Sequence, residues 1–220
     1  ITGTSVSKEA AKVVLMDDNF ASIAAAVEEG RRVYDNLIKS LAFVLPTNLA
    51  LACILAVAMF FFPTVTVDGV TELLMAMSPT QILWINLVAS VTLSIPLAFE
   101  ILEPNAMRRS PRPANEPVFS RFIIYRLVMV AALMTAGGCG LFLWEYYRIV
   151  GTHPLTAELH ALALAEAQTL CVTVVTFSQI FYLFNCRSLR DSIFAQGVFS
   201  NPSVFAGVGI LLLLQLCFTY

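Results

Sequence analysis

The sequence is poor in charge. Only 13% of its residues are Asp, Glu, Lys or Arg, against about 25% in typical soluble domains, whereas 58% are hydrophobic and the mean hydropathy is +0.79. This composition predicts an integral membrane protein whose solvent is the lipid bilayer. The formal net charge of −2 also lacks the basic excess that is typical of nucleic-acid binders, so we expect no nucleic-acid partner.

Patterns for metal ligands and disulfides are missing as well. The five cysteines fall in or beside apolar runs, which is typical of small packing residues rather than of a disulfide framework or a metal cluster. His153 and His160 lie in one loop region without a third ligand, so we expect their side chains to be solvated rather than bound to zinc.

Long apolar runs, in contrast, are abundant. About 20 apolar residues cross the hydrocarbon layer as a helix, and we predict five such spans at residues 40–62, 77–99, 122–144, 162–186 and 202–220. The charged stretch at residues 22–39 predicts a helical stalk that continues into the first span. The predicted fold class is an all-α integral membrane protein, a bundle of about five transmembrane helices with a cytoplasmic stalk.

Residues 1–21 differ from the rest because they are not apolar enough to enter a membrane. The sequence KVVLM at 12–16 predicts a short buried strand, and Asp17, Asp18 and Asn19 offer a cap for the following helix. A lone strand leaves its backbone edge unpaired. We therefore expect residues 1–21 to be the remnant of a soluble domain whose other strands precede them.

The distribution of basic residues predicts the orientation. Of the 13 Lys and Arg residues, five precede the first span, five lie between the second span and the first turns of the third, two follow the fourth, and only Arg148 lies on the other side. Because basic loops stay in the cytoplasm, we expect a cytoplasmic N-terminus, and we expect the loop that holds His153 and His160 to lie outside.

Polar residues inside two of the spans need an explanation. The second span carries Asn86, Ser90, Thr92 and Ser94 largely on one helical face. In the first span, Pro46 has no N–H, so the carbonyl of Ala42, four residues earlier, loses its helical partner. The polar residues Thr47 and Asn48 follow Pro46 directly. Two interpretations stay open, because such residues either line an ion path or hydrogen-bond to a neighbouring helix.

A longer pattern resembles a known family. Residues 8–36, KEAAKVVLMDDNFASIAAAVEEGRRVYDN, are similar to the segment of P-type cation-transporting ATPases in which the phosphorylation domain ends and the fifth membrane helix begins. The resemblance continues in order over essentially the whole chain, and it is best to bacterial type II members. The motifs that carry it are PTN at 46–48, LWINLV at 83–88, RSPRP at 109–113, CRSLRDSIF at 186–194 and FSNP at 199–202.

The resemblance implies the membrane transport portion of an ATP-driven cation pump, with helices five to nine in residues 40–220 and the stalk as the coupling element. The DKTGT, TGE and TGDGVND motifs of a complete pump are missing from the sequence, so this chain should not hydrolyse ATP alone. ATP and Mg²⁺ are implied for the intact pump, with no cofactor in this chain. The implied partners are the transported cation, the bilayer and the N-terminal part of the same pump; the chain is then a fragment or a truncated gene product.

The resemblance also implies ion-site residues. Asn48, Asn86 and Gln179 stand where calcium pumps place ligands, whereas Leu51 replaces a glutamate of those pumps and Ala89 and Ser90 replace a threonine and an aspartate. Calcium sites usually include carboxylates, so this donor set differs from theirs. Intramembrane acids are functional candidates too: Glu100 is either a ligand at the mouth of the path or a helix-end charge, and Glu166 is either an exit-side partner or a buried acid. The candidates for the ion path are Asn48, Asn86, Gln179, Thr47, Ser90, Thr92, Ser94, Glu100 and Glu166.

Two other functions remain open at this point. One is a small channel or carrier that works without ATP, and the other is a non-catalytic membrane fragment that associates with other membrane proteins. The unpaired strand and the stalk motif favour the pump.

Overall fold

The computed structural model describes residues 3–103, 105–111, 113, 119–151, 155–188, 197 and 199–219. Helices dominate it, with one small hairpin between the first two spans. In chain order the elements are α1 (Ser5–Ala10), α2 (Ala21–Phe61), β1 (Thr64–Val67), β2 (Val70–Leu73), α3 (Pro79–Leu83), a π-helical turn (Trp84–Ala89), α4 (Ser90–Ala98), a 3-10 turn (Ala106–Arg108), α5 (Arg121–Val150), α6 (Ala157–Cys186) and α7 (Pro202–Thr219).

Five segments in the described part of the chain are long and apolar enough to cross a membrane: α2, the run from α3 to α4, α5, α6 and α7. The all-α membrane fold with five spans is therefore confirmed, and the protein is an integral membrane protein. Helix α5 packs against both α2 and α6, and α4 packs against α2 and α7. The core of the bundle forms where α2, α5 and α6 meet.

Helix α2 joins the stalk and the first span into one helix of 41 residues, which is about 60 Å long, or twice the hydrocarbon thickness. Its first turn is anchored by side chains, because Asn19 Oδ1 accepts a hydrogen bond from the Ala21 N–H at 3.0 Å. The pKa of Asp17 is lowered because the Ser22 hydroxyl and the Asn19 N–H donate to its carboxylate. We call the end of the bundle from which residues 21–39 emerge the stalk end.

The strand that we predicted at residues 12–16 is wrong. These residues lie outside helices and strands, and all of them except Leu15 are exposed. Both described strands lie in the hairpin β1–β2. Residues 12–16 therefore have no ladder to join, and an isolated strand cannot satisfy its own backbone groups.

Sequence analysis did not predict the hairpin of β1 and β2 between the first two spans. Its strands pair in an antiparallel register from Thr64 with Leu73 to Val67 with Val70. The turn residues Asp68 and Gly69 have φ values of 51° and 83°. An Asp-Gly pair between alternating residues is a strong hairpin signal because both turn positions need positive φ. We call this end of the bundle the hairpin end.

The second span is broken rather than continuous. It begins at a capping box, in which the Ser78 and Gln81 side chains each accept a hydrogen bond from the other residue's N–H. It then widens into the π-helical turn, where the Ser90 N–H bonds to the carbonyl of Ile85, five residues earlier. Such π-turns often mark functional sites, and this one contains Asn86.

Candidate functional site

Two contacts fix how α2 and α6 lie beside each other. At the stalk end, the Tyr182 hydroxyl of α6 donates to the carbonyl of Ala42 in α2 at 2.8 Å. Farther along, Ile54 of α2 and Cys171 of α6 both pack against Gly138 of α5. A Cβ atom at Gly138 would lie 3.2 Å from the Ile54 side chain and 3.3 Å from the Cys171 sulfur. The two helices are therefore antiparallel, and their middle portions between these contacts lie at the same depth in the bundle.

The middle portions carry polar atoms that are buried without partners. Among the described residues, Asn48 Oδ1, Thr176 Oγ1 and both amide atoms of Gln179 have no hydrogen-bond partner. Asn48 is six residues beyond Ala42 and Thr176 is six residues before Tyr182, which is about 9 Å along each helix. Each unsatisfied buried group costs about 1–3 kcal/mol, so several of them in the middle of the bundle call for a functional reason.

Thr47, next to Asn48, has its hydroxyl already bonded. Its Oγ1 donates to the carbonyls of Phe43 at 3.2 Å and Val44 at 2.9 Å, not to the Ala42 carbonyl that Pro46 leaves without a helical partner. Thr47 is fully buried, and Leu51, one turn on, is buried against the core. The Thr47 hydroxyl is therefore occupied by hydrogen bonds within α2.

The candidates on the second span differ from these buried atoms in exposure or in hydrogen bonding. Asn86 is exposed on the described part of the chain, and Thr92 is half-buried. Ser90 is buried, but its hydroxyl donates to the carbonyl of Ile85 at 3.1 Å. Ser94 donates to the carbonyl of Val91 at 3.3 Å. Among the described residues of this group, Asn86 and Thr92 therefore keep side chains that no hydrogen bond commits to the fold.

Glu100 is neither a solvated helix-end charge nor a free carboxylate. It is fully buried, and its Oε1 accepts a hydrogen bond from Nε of the equally buried Arg187 at 2.8 Å. Asn201 donates to its other oxygen, and Asn36 donates to its main-chain carbonyl at 2.8 Å. The stalk end of α2, the end of the second span and the regions that flank α6 and α7 meet at this acid.

A second group of paired charges joins α2 to the loop after the second span. Buried Lys39 lies 3.5 Å from Glu103, and Arg109 bonds to Glu103 and, at 2.9 Å, to Asp35. Burial alone lowers the pKa of Arg109, but the carboxylates of Asp35 and Glu103 outweigh burial and raise it. Arg31 extends the contact by donating to two loop carbonyls, those of Ala106 and Arg109.

Expectations at the hairpin end need correction. Glu166 is exposed in the described part of the chain, so it is not a buried acid. His160 is not solvated: it is buried, its Nδ1 lies 2.8 Å from the Tyr146 hydroxyl, and its Nε2 lies 3.8 Å from a carboxylate oxygen of Glu72. The hairpin covers it, which sequence alone did not predict. His153 lies outside the described residues.

The donors in the middle of the bundle are neutral. No group of three His, Cys, Asp or Glu side chains that could hold a metal occurs among the described residues. The unpaired oxygens belong instead to two carboxamides and a hydroxyl. Such oxygens are hard donors that suit cations such as Ca²⁺ or Mg²⁺ only as part of a larger oxygen shell.

Comparison with known proteins decides the family. The family described as Cation transporting ATPase, C-terminus, matches residues 74–220. The chain belongs to this family. The probable cation-transporting ATPase F of Mycobacterium tuberculosis strain H37Rv is 38% identical over 99% of the chain and 22% of its own length.

Calcium-transporting ATPase 1 of Bacillus cereus is 36% identical over 99% of the chain and 24% of its own length. The calcium-transporting ATPase of Bacillus subtilis is 32% identical over the whole chain and 22% of its own length. The chain thus spans about a fifth of the length of these curated relatives.

Sequence reasoning missed two residues that organise this region. Tyr182 could have been found by asking which donor satisfies the Ala42 carbonyl that Pro46 frees, because a buried carbonyl needs a partner. Arg187 could have been found by asking which cation compensates a buried Glu100, because buried charges are paired.

Proposed function

We propose that this chain is the membrane transport portion of an ATP-driven cation pump, and that Asn48, Thr176 and Gln179 supply part of its cation site. The observation that carries this proposal is the set of buried, unpartnered polar atoms in the middle portions of α2 and α6. Family membership supports the pump, and the names of the relatives support a cation as the cargo.

The chemistry of the proposed site is replacement of hydration water. A cation that leaves water needs oxygens in place of its hydration shell, and a shell of six to eight is common for Ca²⁺. Asn48, Thr176 and Gln179 offer three, so the remaining ligands come from other groups. Asn86, exposed within the π-helical turn, is the first of them, and we assign the rest to parts of the pump beyond this chain.

Glu100, Thr47, Ser90, Thr92, Ser94 and Glu166 form a weaker set in this proposal. Glu100 is already paired with Arg187, and the hydroxyls of Thr47, Ser90 and Ser94 are already bonded to main-chain carbonyls. We keep Thr92 and Glu166 as residues that flank the path, since neither side chain has a hydrogen-bond partner among the described residues.

Coupling in this proposal runs through α2. The other part of the pump binds ATP and Mg²⁺ and is phosphorylated, residues 1–21 belong to that catalytic part, and the stalk at 22–39 transmits its movement to the transport domain at 40–220. A helix that continues without a break from the stalk to Asn48 supports this route. We place the protein in a bacterial plasma membrane with its N-terminus in the cytoplasm, because basic residues are concentrated on that side.

The test uses the intact pump that contains these helices, purified and reconstituted into liposomes. ATP hydrolysis is titrated separately with Na⁺, K⁺, Mn²⁺ and Ca²⁺ at constant Mg²⁺. We expect at least one of these cations to stimulate turnover, and we expect Gln179→Leu and Asn48→Leu to raise its half-saturating concentration at least tenfold. Gln168→Leu is the matched control, because Gln168 lies on the same helix and bonds to the Met75 carbonyl instead.

Two results would contradict the proposal. One is ATP turnover that none of the four cations stimulates in the unmodified pump. The other is an unchanged half-saturating concentration in both the Gln179→Leu and the Asn48→Leu variants.

A further inference from the structure

We propose that Tyr182 is a positioning residue whose hydroxyl holds α6 against the proline-opened turn of α2, and so sets the spacing between Gln179 and Asn48. This inference rests on the cation site proposed above. Tyr182 does not contact the cation; it acts through the two helices that carry the ligands.

The need for this contact arises from Pro46. Proline has no N–H, so the carbonyl of Ala42 cannot receive its usual helical hydrogen bond. Ala42 is buried, and a buried carbonyl needs a hydrogen-bond partner. Thr47 bonds to the carbonyls of Phe43 and Val44, but the carbonyl of Ala42 is satisfied by Tyr182 Oη, 140 residues away in sequence.

The Tyr182 ring is held on several sides, so the hydroxyl has a fixed position. The ring stacks on Phe43 of α2 with centroids 6.1 Å apart and an interplanar angle of 22°. The guanidinium of Arg126, on α5, lies 5.3 Å from the ring centroid. Arg126 also donates to the carbonyl of Asn185 at 2.7 Å. Three helices therefore meet around one phenol, and little rotamer freedom remains for it.

The contact lies next to the proposed ligands. Tyr182 is three residues from Gln179, which is about 4.5 Å along α6, and Ala42 is about 9 Å from Asn48 along α2. A proline-opened turn is a point where a helix bends. Because the hydroxyl fixes that turn to α6, it fixes how far the Asn48 half of α2 lies from Gln179.

The same geometry predicts when the contact becomes unnecessary. If residue 46 carries an N–H, that N–H can donate to the Ala42 carbonyl. The Tyr182 hydroxyl is then no longer the donor that this carbonyl needs. The effect of removing the hydroxyl should therefore depend on Pro46, and a thermodynamic cycle of the two substitutions measures that dependence.

The experiment titrates ATP turnover of the intact, reconstituted pump with Ca²⁺ and with Na⁺. We expect Tyr182→Phe to raise the half-saturating concentration of the stimulating cation about tenfold, the size expected for one lost hydrogen bond, with maximal turnover within about twofold of the unmodified pump. In the Pro46→Ala background, Tyr182→Phe should change that concentration by less than about twofold. Tyr125→Phe, on an exposed tyrosine of α5, is the control.

The outcomes separate this inference from the proposed site. If Gln179→Leu weakens cation stimulation but Tyr182→Phe does not, the positioning role is wrong and the site stands. If Gln179→Leu and Asn48→Leu have no effect, the site is wrong and the positioning role falls with it. If Tyr182→Phe alone fails to fold, the comparison of Pro46→Ala with and without Tyr182→Phe decides, and failure of that double variant to fold also overturns the proposal.

Discussion

The stalk end and the middle of the bundle differ in whether their buried polar side chains have partners. At the stalk end, Glu100 pairs with Arg187, and Glu103 lies between Lys39 and Arg109. In the middle, neutral groups are buried and their polar atoms have no partner among the described residues. These charged groups are therefore in ion pairs, although Lys39 Nζ makes no hydrogen bond, whereas the polar atoms of Asn48, Thr176 and Gln179 have no partner in the described part of the chain.

This difference teaches which buried polar residues are available to a ligand. The negative charge of a carboxylate that is already paired with a guanidinium is neutralised, so the carboxylate attracts a cation only weakly. Removing the guanidinium would destabilise the protein, because the carboxylate would be left buried and unpaired. An unpaired carboxamide oxygen gives up no existing hydrogen bond when it coordinates a cation. In the proposed cation site the ligands are therefore neutral residues, although charge alone would rank Glu100 above Gln179.

The largest expected effect tests the charged pair at the stalk end. Arg187→Leu leaves Glu100 buried without compensation, and we expect a loss of about 3–5 kcal/mol in the free energy of unfolding. Thermal unfolding of the pump in detergent, together with its yield from membranes, measures this. The double variant Glu100→Leu with Arg187→Leu removes both charges, so most of the stability should return. Equal stability of the single and double variants would contradict the assignment of this pair.

The next effect tests how tightly α7 packs against α4. A Cβ at Gly207 of α7 would lie 2.8 Å from the Thr92 carbonyl oxygen and 2.9 Å from Pro96. We expect Gly207→Ala to destabilise the protein by about 1–3 kcal/mol through overpacking. Gly209→Ala is the control, because a Cβ there meets nothing within 4 Å. Equal thermal shifts for the two variants would show that α7 can move away from α4.

A smaller effect, of opposite sign, tests the middle of the bundle. Thr176→Val removes a buried hydroxyl that has no partner, so we expect the cation-free protein to become more stable by about 1 kcal/mol, while the half-saturating cation concentration rises. Thr169→Val is the matched control on the same helix, since the Thr169 hydroxyl is satisfied by the Ala165 carbonyl at 2.8 Å. Destabilisation by Thr176→Val would mean that its hydroxyl has a structural partner after all.

The comparison also explains what sequence could predict. The five spans follow from local hydropathy, and the disturbed turn at Pro46 follows from the chemistry of one residue, so both were accessible. The pairing of Glu100 with Arg187 joins residues 87 positions apart, and no periodicity within one helix encodes it. The π-helical turn at Trp84–Ala89 depends on hydrogen-bond register, which hydropathy does not report.

The site was only partly predictable for the same reason. Asn48 and Gln179 were selected by resemblance, but only the packing of α2 against α6 reveals that their polar atoms are left without partners. The strand expected at residues 12–16 illustrates the converse case. Its composition favours a strand, yet strand formation depends on a neighbouring strand, and the described chain offers none to it.

The smallest effect concerns a carboxylate that is hydrogen-bonded but exposed, so it tests hydrogen bonding without burial. Asp17 also receives hydrogen bonds, from Ser22 and Asn19, but it is exposed. Because its pKa is lowered in the folded state, its contribution is present above its ordinary pKa of 3.8 and is lost as the pH falls through the folded value. We therefore expect Asp17→Asn to speed hydrogen exchange only in the first turn of α2 at pH 7, without a change in the thermal unfolding of the bundle. A global loss of stability like that of Arg187→Leu would mean that carboxylate hydrogen bonding, rather than burial, separates the two kinds of site.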